Sequence, residues 1–267
     1  MKKIQYDSPT DGYFDLMTDP VKLLSQYLGS TFFLNGELAN GNTESYGIAI
    51  LPTPPESFES LYPAEYSKIG LCSKIGGIQQ SISCPQMKIL PSNRTELQKL
   101  VKKLAPNGEF CTANGNVRLN PAQETFSVST LRAEAFILLT GKKAQGKYCQ
   151  INNRQGSAVF GILSLDNQPL TESKRILLLH LTDSAATKMR YADQQQRKLE
   201  SWGTLPFLAA CGEAELQILS PAGNERCYAL DMAGNRLAEI PVRNGKINLQ
   251  VFQKSGQTFA YELEKRN

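Results

Sequence analysis

Short runs of alternating apolar and polar residues dominate the chain from residue 108 onward. They recur at intervals of about 8 to 12 residues, with Gly, Pro and Asn between them, which is typical of an antiparallel sandwich. The runs are NVRLN, ETFSVST, AEAFILLTG, KYCQINN, SAVFGILSLD, RILLLHLTD, AELQILS, RCYALDM, RLAEIPV, KINLQVF and TFAYELE. Between two of them Asn244-Gly245 favours a type I′ hairpin turn, because both residues tolerate positive φ. The pattern therefore predicts a β-sandwich module over residues 108–267.

The first 107 residues mix helical and strand patterns. Asp19-Pro20 is a strong helix start and Asn35-Gly36 a strong stop. Between them, the residues predicted to face one side are Leu24, Tyr27, Leu28 and Phe32. YGIAILP and SKIGLCSKIGG are predicted as buried strands, and PSNRTELQKLVKKLAP as a helix capped by Asn93 or Thr95. We therefore expect a smaller mixed α/β part over residues 1–107, so that the whole chain is α+β and mainly β.

One long connection interrupts the strand rhythm. The segment SAATKMRYADQQQRKLESWGTLPFLA is polar and is predicted to be partly helical, lying between two strands. Its aromatic residues suggest a flat surface that stacks on sugar rings. Tyr191, Trp202 and Phe207 would cover the apolar side of a pyranose, while Arg190 and several amides bond its hydroxyls. In the other interpretation, which we favour because the run TLPFL is apolar, Trp202 and Phe207 close the edge of the sandwich beneath the loop.

Composition and charge narrow the classes of partner. The chain is 41% hydrophobic and 20% charged, as in ordinary soluble globular proteins. Its net charge of +4 is a small excess of 29 Lys and Arg over 25 Asp and Glu, and these residues are scattered, so we expect no nucleic-acid partner. The two N-terminal lysines are not followed by a signal-like apolar stretch, and no run approaches the length of a membrane span. We expect a soluble protein without a membrane partner, in a compartment that the sequence leaves open.

The cysteines and the single histidine argue against a metal site or cofactor. No CxxC pair occurs, and no second histidine completes a zinc ligand set. The six cysteines are Cys72, Cys84, Cys111, Cys149, Cys211 and Cys227. Several lie in apolar, strand-like runs, where free cysteine packs as a small hydrophobe, so reduced thiols are favoured over disulfides.

Candidates for catalysis are few. His180 lies in the apolar strand RILLLHLTD; it is either a general base held by Asp183 or a buried imidazole hydrogen-bonded to backbone or a carboxylate, and we favour the second. Hydrolysis of glycosides usually needs two facing carboxylates. The acids in the least polar contexts are Glu134, Asp183, Asp193 and Glu200. Their spacing pairs none of them, so we assign no catalytic residue.

The run from HLTD through YAD to WGTLPFL, followed by CYALDMAGNRLAEIPV and TFAYEL, resembles the C-terminal region of large bacterial glycoside hydrolases related to the TIM-barrel β-galactosidases and cellulases. DPVKLLSQYLGSTFFLNG and NVRLNPAQETFSVSTLRAEAFILLTG are similar to segments lying upstream in such proteins. The resemblance implies β-sandwich modules that follow a catalytic barrel. The family's catalytic carboxylates would lie on barrel strands, for which this chain has no room, so none is carried over.

Together these features predict a non-catalytic portion of a carbohydrate-active enzyme that supports the catalytic domain or contacts carbohydrate through Arg190, Tyr191 and Trp202. The alternative is a stand-alone carbohydrate-binding or cell-surface module, and a small hydrolase that uses His180 ranks last. The apolar helix that follows Asp19 needs a partner surface, which we expect to be a catalytic barrel domain or a second copy of the chain.

Overall fold

The architecture was determined from a computed structural model, which describes residues 19–38, 45–50, 64–79, 88–91, 93–193, 198–254 and 256–265. The helices among these residues are α1 (Pro20–Asn35), α2 (Ala64–Cys72) and α3 (Arg94–Leu104). The strands are β1 (Ser45–Ile50), β2 (Lys74–Gln79), β3 (Lys88–Ile89), β4 (Phe110–Cys111), β5 (Val117–Asn120), β6 (Thr125–Ser129), β7 (Ala133–Leu138), β8 (Lys143–Gln145), β9 (Cys149–Gln155), β10 (Ala158–Ser164), β11 (Arg175–Leu181), β12 (Ser184–Thr187), β13 (Arg190–Tyr191), β14 (Leu199–Ser201), β15 (Thr204–Ala209), β16 (Glu213–Ile218), β17 (Glu225–Leu230), β18 (Arg236–Ile240), β19 (Val242–Arg243), β20 (Lys246–Gln250), β21 (Phe252–Gln253), β22 (Gly256–Gln257) and β23 (Ala260–Lys265).

Two antiparallel sheets face each other in a sandwich. The larger has nine strands in the order β18-β17-β23-β11-β10-β7-β6-β5-β4, and the smaller has five in the order β19-β20-β16-β9-β8. Strand β19 contacts β17, while β8 contacts β6 and β7, so β5 and β4 extend beyond the smaller sheet. The predicted fold class, a mainly β sandwich with a smaller α/β part, is confirmed.

The main core lies between the two sheets and follows the period-two alternation of the strands. Its largest fully buried side chains include Phe136, Phe160 and Tyr261, one from each of three strands of the larger sheet. The predicted hairpin is present: Asn244 and Gly245 have φ of 52° and 74°, and they join β19 to β20. Because alternation sets which side chains face inward, the sequence pattern alone locates this core.

Helix α1 covers the outer face of the nine-stranded sheet. Leu28 and Phe32 are buried there, and a Cβ added at Gly161 of β10 would lie 2.9 Å from Leu28 Cδ1, so the helix approaches the strand closely. The chain's own sheet therefore supplies a partner surface for the helix. The sequence suggested instead that another domain or a second copy of the chain would supply it. Tyr27, predicted to face inward with these residues, is instead 47% exposed.

Hydrogen bonds fix both ends of α1. Asp19 caps the helix by accepting from the backbone N–H groups of Val21 and Lys22, as its position before proline predicted. Beyond the other end, Glu37 Oε1 lies 2.9 Å from Arg132 Nε, next to β7. These contacts hold the helix in register on the sheet.

The N-terminal α/β part contains a parallel three-stranded sheet in the order β2-β1-β3, with α2 and α3 around its own small core. Asn93 caps α3, as predicted. The predicted strand at 67–77 is wrong in its first half: α2 runs to Cys72, and β2 begins at Lys74. Short apolar runs do not distinguish helix from strand, and here the helix begins outside the run, at Ala64. The division at residues 107 and 108 stays a prediction.

The long connection between β11 and β16 was predicted to be partly helical, which is wrong for its described residues. They form an antiparallel two-stranded ribbon, in which β12 pairs with β15 and β13 pairs with β14. We call residues 184–209 the arm; its residues 194–197 lie outside the described part. The arm leads from the larger sheet to the smaller one.

Candidate functional site

The base of the arm is fixed by contacts with both the sandwich and α1. Ala210 N–H donates to Asp183 O at 2.8 Å, and Thr182 Oγ1 donates to Ala210 O at 2.8 Å, which closes the ribbon where it leaves β11. Ser184 Oγ donates to Asp19 Oδ1 at 2.6 Å, so the residue that caps α1 also holds the first residue of the arm. The arm is thus positioned by the same carboxylate that starts the helix.

The strand pairing places the three predicted binding residues close together along the arm. Arg190 pairs with Ser201, the residue before Trp202, and Tyr191 pairs with Leu199. The chain bends at this point, since the register shifts between Arg190 and Tyr191. A ribbon of paired backbone holds the three side chains near one another without a helix.

The same three side chains reach solvent. Trp202 is 50% exposed and Tyr191 is 37% exposed, and Arg190 is exposed as well. The favoured interpretation, in which Trp202 is buried as a clamp on the sandwich edge, is therefore wrong for Trp202. Phe207 is partly buried beside the paired backbone of β12 and β15. An exposed indole, an exposed phenol and a guanidinium are groups that stack on and hydrogen-bond to sugars.

His180 is sealed inside the sandwich at the base of the arm. Its ring is 0% exposed and stacks on Phe160, with ring centroids 4.8 Å apart. Among the described residues neither ring nitrogen has a hydrogen-bond partner, so the imidazole is held neither by Asp183 nor by another polar group, contrary to both sequence interpretations. Burial lowers the pKa of His180 to about 4, which keeps the ring neutral. A neutral, enclosed ring without an acid to orient it does not fit a general base.

Glu134 is the buried member of the four candidate acids. Its side chain is 0% exposed and accepts hydrogen bonds from the Ser129 hydroxyl and from the backbone N–H groups of Lys147, Tyr148 and Cys149. Its oxygens therefore join β7 of the larger sheet to the hairpin between β8 and β9 of the smaller one. With every oxygen engaged in this way, Glu134 acts as a link between the sheets.

The other three acids do not assemble around a cleft. Asp183 and Glu200 are exposed, and Asp193 is partly exposed near the outer part of the arm. Burial and the nearby Glu134 raise the pKa of the Cys149 thiol well above its usual range, so this thiol is kept protonated. A thiol that stays protonated packs as a small hydrophobe and does not act as a nucleophile.

The described part of the chain contains no group of three or more His, Cys, Asp and Glu side chains that could hold a metal ion. None of its helices is long and apolar enough to cross a membrane. Comparison with family models, curated proteins and solved structures finds no match to the chain.

A polar groove of about 220 Å³ lies where the larger sheet extends beyond the smaller one. Its floor and walls come from β5, β6 and β8 and the segments beside them. The lining residues are Glu109, Arg118, Asn120, Gln123, Thr125, Ser127, Lys143, Ala144 and Gln145. Arg118 Nη1 donates to Glu109 Oε1 at 3.2 Å, so the charge of this guanidinium is paired with a carboxylate of the groove.

Sequence reasoning singled out none of these groove residues. One signal was available: alternate positions of VRLN and TFSVS are Arg118, Asn120, Thr125 and Ser127, which is a polar face on strands whose other face is apolar. That face would be buried in a sandwich of two equal sheets. In the described structure β8, the edge strand of the smaller sheet, only borders this face, so Arg118 stays exposed and the other three residues are partly buried.

Proposed function

We propose that this chain is a non-catalytic module of a carbohydrate-active enzyme and that it contacts carbohydrate through the arm. The observation that carries the proposal is the exposure of Trp202 and Tyr191 beside Arg190 on a ribbon whose base is fixed. Aromatic planes cover the apolar side of a sugar ring, while a guanidinium and backbone groups bond its hydroxyls. A stand-alone carbohydrate-binding module would use the same surface.

The environments of Glu134 and His180 support the non-catalytic part of the proposal. Glu134 is occupied by backbone N–H groups, and His180 is enclosed and neutral. A small hydrolase would need at least one of them at an open surface. The resemblance to the regions that follow glycoside hydrolase barrels adds a reason to choose carbohydrate as the ligand class.

Titration with a panel of oligosaccharides tests this proposal. Trp202 is the only tryptophan, so its emission reports on the arm directly. We expect a red-shifted emission that is quenched by at least one member of the panel, and an affinity at least tenfold weaker in Tyr191→Ala and Arg190→Ala, equal to about 1.4 kcal/mol. Calorimetry extends the comparison to Trp202→Ala, which has lost the reporter.

Phe33→Ala is the matched control, because Phe33 is 83% exposed near the end of α1 opposite to Asp19. It should bind like the wild type. An emission that no sugar moves, with no heat of binding, would refute carbohydrate contact at the arm. Turnover of aryl glycosides that one Asp or Glu substitution abolishes would refute the non-catalytic role.

The outer side of α1 suits the supporting role. Tyr27 and Leu34 follow Leu23 by four and eleven residues, so the three side chains lie on one side of the helix. This side is opposite to the one that buries Leu28 and Phe32. They are 41%, 47% and 80% exposed. We propose that a catalytic barrel domain packs on this stripe, and a second copy of the chain is the alternative.

Light scattering distinguishes the two partners of α1. If a barrel domain is the partner of α1, the chain alone has nothing to bind on this stripe. We therefore expect it to be a monomer, whether or not Leu23 and Leu34 are changed to Ser. A stable dimer that Leu23→Ser and Leu34→Ser dissociate would replace the barrel domain by a second copy. Leu237→Ser, at an apolar residue 38% exposed on β18, is the matched control and should leave the mass unchanged.

A further inference from the structure

The polar groove is bordered by an open strand edge. Among the described strands, β8 pairs only with β9, so one edge of β8 has no strand beside it. Asn153 N–H donates to Lys142 O at 2.9 Å, which makes these two residues a hydrogen-bonded pair of the ladder. Because the two kinds of pair alternate, Lys143 and Gln145 belong to non-hydrogen-bonded pairs. Their backbone N–H and C=O groups therefore point away from β9, toward the open edge, and both residues line the groove.

Several polar side chains of the groove have no protein partner. The hydroxyls of Thr125 and Ser127, both partly buried on β6, make no hydrogen bond to any of the described residues. The side-chain amides of Gln123 and Gln145 are likewise unpartnered within the part of the chain that the structure describes. Polar groups that are partly removed from water normally have a partner, and an open groove lets a ligand supply it.

The charges and the hydrogen-bonding groups of the groove favour a neutral ligand with many hydroxyls. Arg118 is paired with Glu109, whose carboxylate repels a second anion at this place. An amide side chain offers two donors and an acceptor, and a hydroxyl donates one hydrogen bond and accepts two. The groove thus presents donors and acceptors together, which suits sugar hydroxyls because each of them also does both.

An extended peptide added to the edge of β8 fits this place less well. Strand β8 has three residues and one of them is Lys143, and short edge strands that carry lysine disfavour the addition of a further strand. Recognition by strand addition also uses pockets for alternate side chains of the peptide. Apart from Ala144, the lining residues of the groove are polar, so they offer no apolar pocket for such side chains.

We propose that the groove is a second carbohydrate site, which takes one or two units of a neutral oligosaccharide. Amides, hydroxyls and the edge of β8 bond the sugar hydroxyls there. The choice of carbohydrate rests on the proposed function, but the site uses none of the arm residues. It lies four strands along the larger sheet from β11, at whose end the arm begins, which is about 19 Å at the usual strand spacing.

Titration of the full chain with neutral oligosaccharides, followed by amide resonances and by calorimetry, tests the site. The variant that combines Tyr191→Ala with Trp202→Ala removes the aromatic residues of the arm. In this variant we expect the N–H resonances of Lys143 and Gln145 to shift with at least one oligosaccharide, and a heat of binding to remain.

Substitutions in the groove should remove this remaining binding. Adding Gln123→Ala and Thr125→Val to the arm variant should weaken the remaining affinity at least tenfold, because an amide and a hydroxyl that bond the sugar are lost. Gln257→Ala is the matched control, since Gln257 is exposed on β22 and does not line the groove. Added to the arm variant, it should leave the remaining affinity unchanged.

The two sites can fail separately. If the emission of Trp202 stays constant while the Lys143 and Gln145 resonances shift in the wild type, the groove is supported and the arm is refuted. If neither resonance shifts with any neutral oligosaccharide, or if the groove substitutions leave the remaining affinity unchanged, the groove proposal is overturned whatever the arm binds. Shifts that only acidic oligosaccharides cause, and that Lys143→Gln abolishes, would overturn it in favour of an anion site.

Discussion

Replacing Glu134 by Gln is expected to lower the free energy of unfolding by about 3 to 5 kcal/mol, because the variant keeps the size of the side chain and reverses part of its hydrogen bonding. Oε1 accepts from Ser129 Oγ at 2.5 Å and from Tyr148 N at 3.0 Å, and Oε2 accepts from Cys149 N at 3.2 Å. In either orientation, an amide NH₂ group would place a donor against donors. Urea denaturation at constant pH measures the loss.

Glu239→Gln makes the same chemical change at an exposed position on β18 and should alter the free energy of unfolding by less than about 0.5 kcal/mol. Because Glu134 links the two sheets, its variant should also expose the hairpin between β8 and β9 to hydrogen exchange ahead of the rest of the smaller sheet. A Glu134→Gln protein as stable as Glu239→Gln would show that the hairpin does not depend on this carboxylate.

The link made by Glu134 illustrates why sequence reasoning located the sheets but missed the contacts between them. Alternation along a strand assigns each side chain to a face, so the sandwich, its inward positions and the Asn244-Gly245 turn follow from local pattern. Besides the Ser129 hydroxyl five residues away, the partners of Glu134 are backbone N–H groups 13 to 15 residues away. No local pattern encodes that meeting, because it depends on how the two sheets are aligned.

At the candidate site, too, local pattern predicted which residues belong to the segment but not the contacts that hold them. The sequence grouped Arg190, Tyr191 and Trp202 as a binding surface because they lie on one polar segment, but the apolar run TLPFL favoured a buried Trp202. It did not predict the ribbon that holds them, since polar residues without clear alternation resemble a helix surface as much as a paired strand. The Ser184 contact to Asp19, 165 residues earlier in the chain, was equally beyond reach.

Stability should fall steeply in acid through His180, whose pKa is about 4 in the folded protein against an ordinary value of 6.5. Below pH 6.5 the unfolded chain binds a proton at this ring, whereas the folded chain binds it only near pH 4. The folded state therefore loses free energy relative to the unfolded state as the pH falls through this window, by about 3 kcal/mol in total. Above pH 6.5 the ring is neutral in both states and makes no such contribution.

His180→Phe isolates this effect, because phenylalanine retains the stacking on Phe160 and does not titrate. Other groups titrate in both proteins, so their contributions cancel in the difference. Glu262 is one of them: burial raises the pKa of its carboxyl, but Arg236 and Arg175 together lower that pKa below its usual range. Urea denaturation from about pH 7.5 to pH 4 should show the variant gaining about 3 kcal/mol relative to the wild type. His180→Leu, with different packing, should give the same slope, since both variants lack the proton. Parallel pH profiles for all three proteins would mean that the ring is protonated in the folded state as readily as in the unfolded one, and that the enclosed site admits the charge.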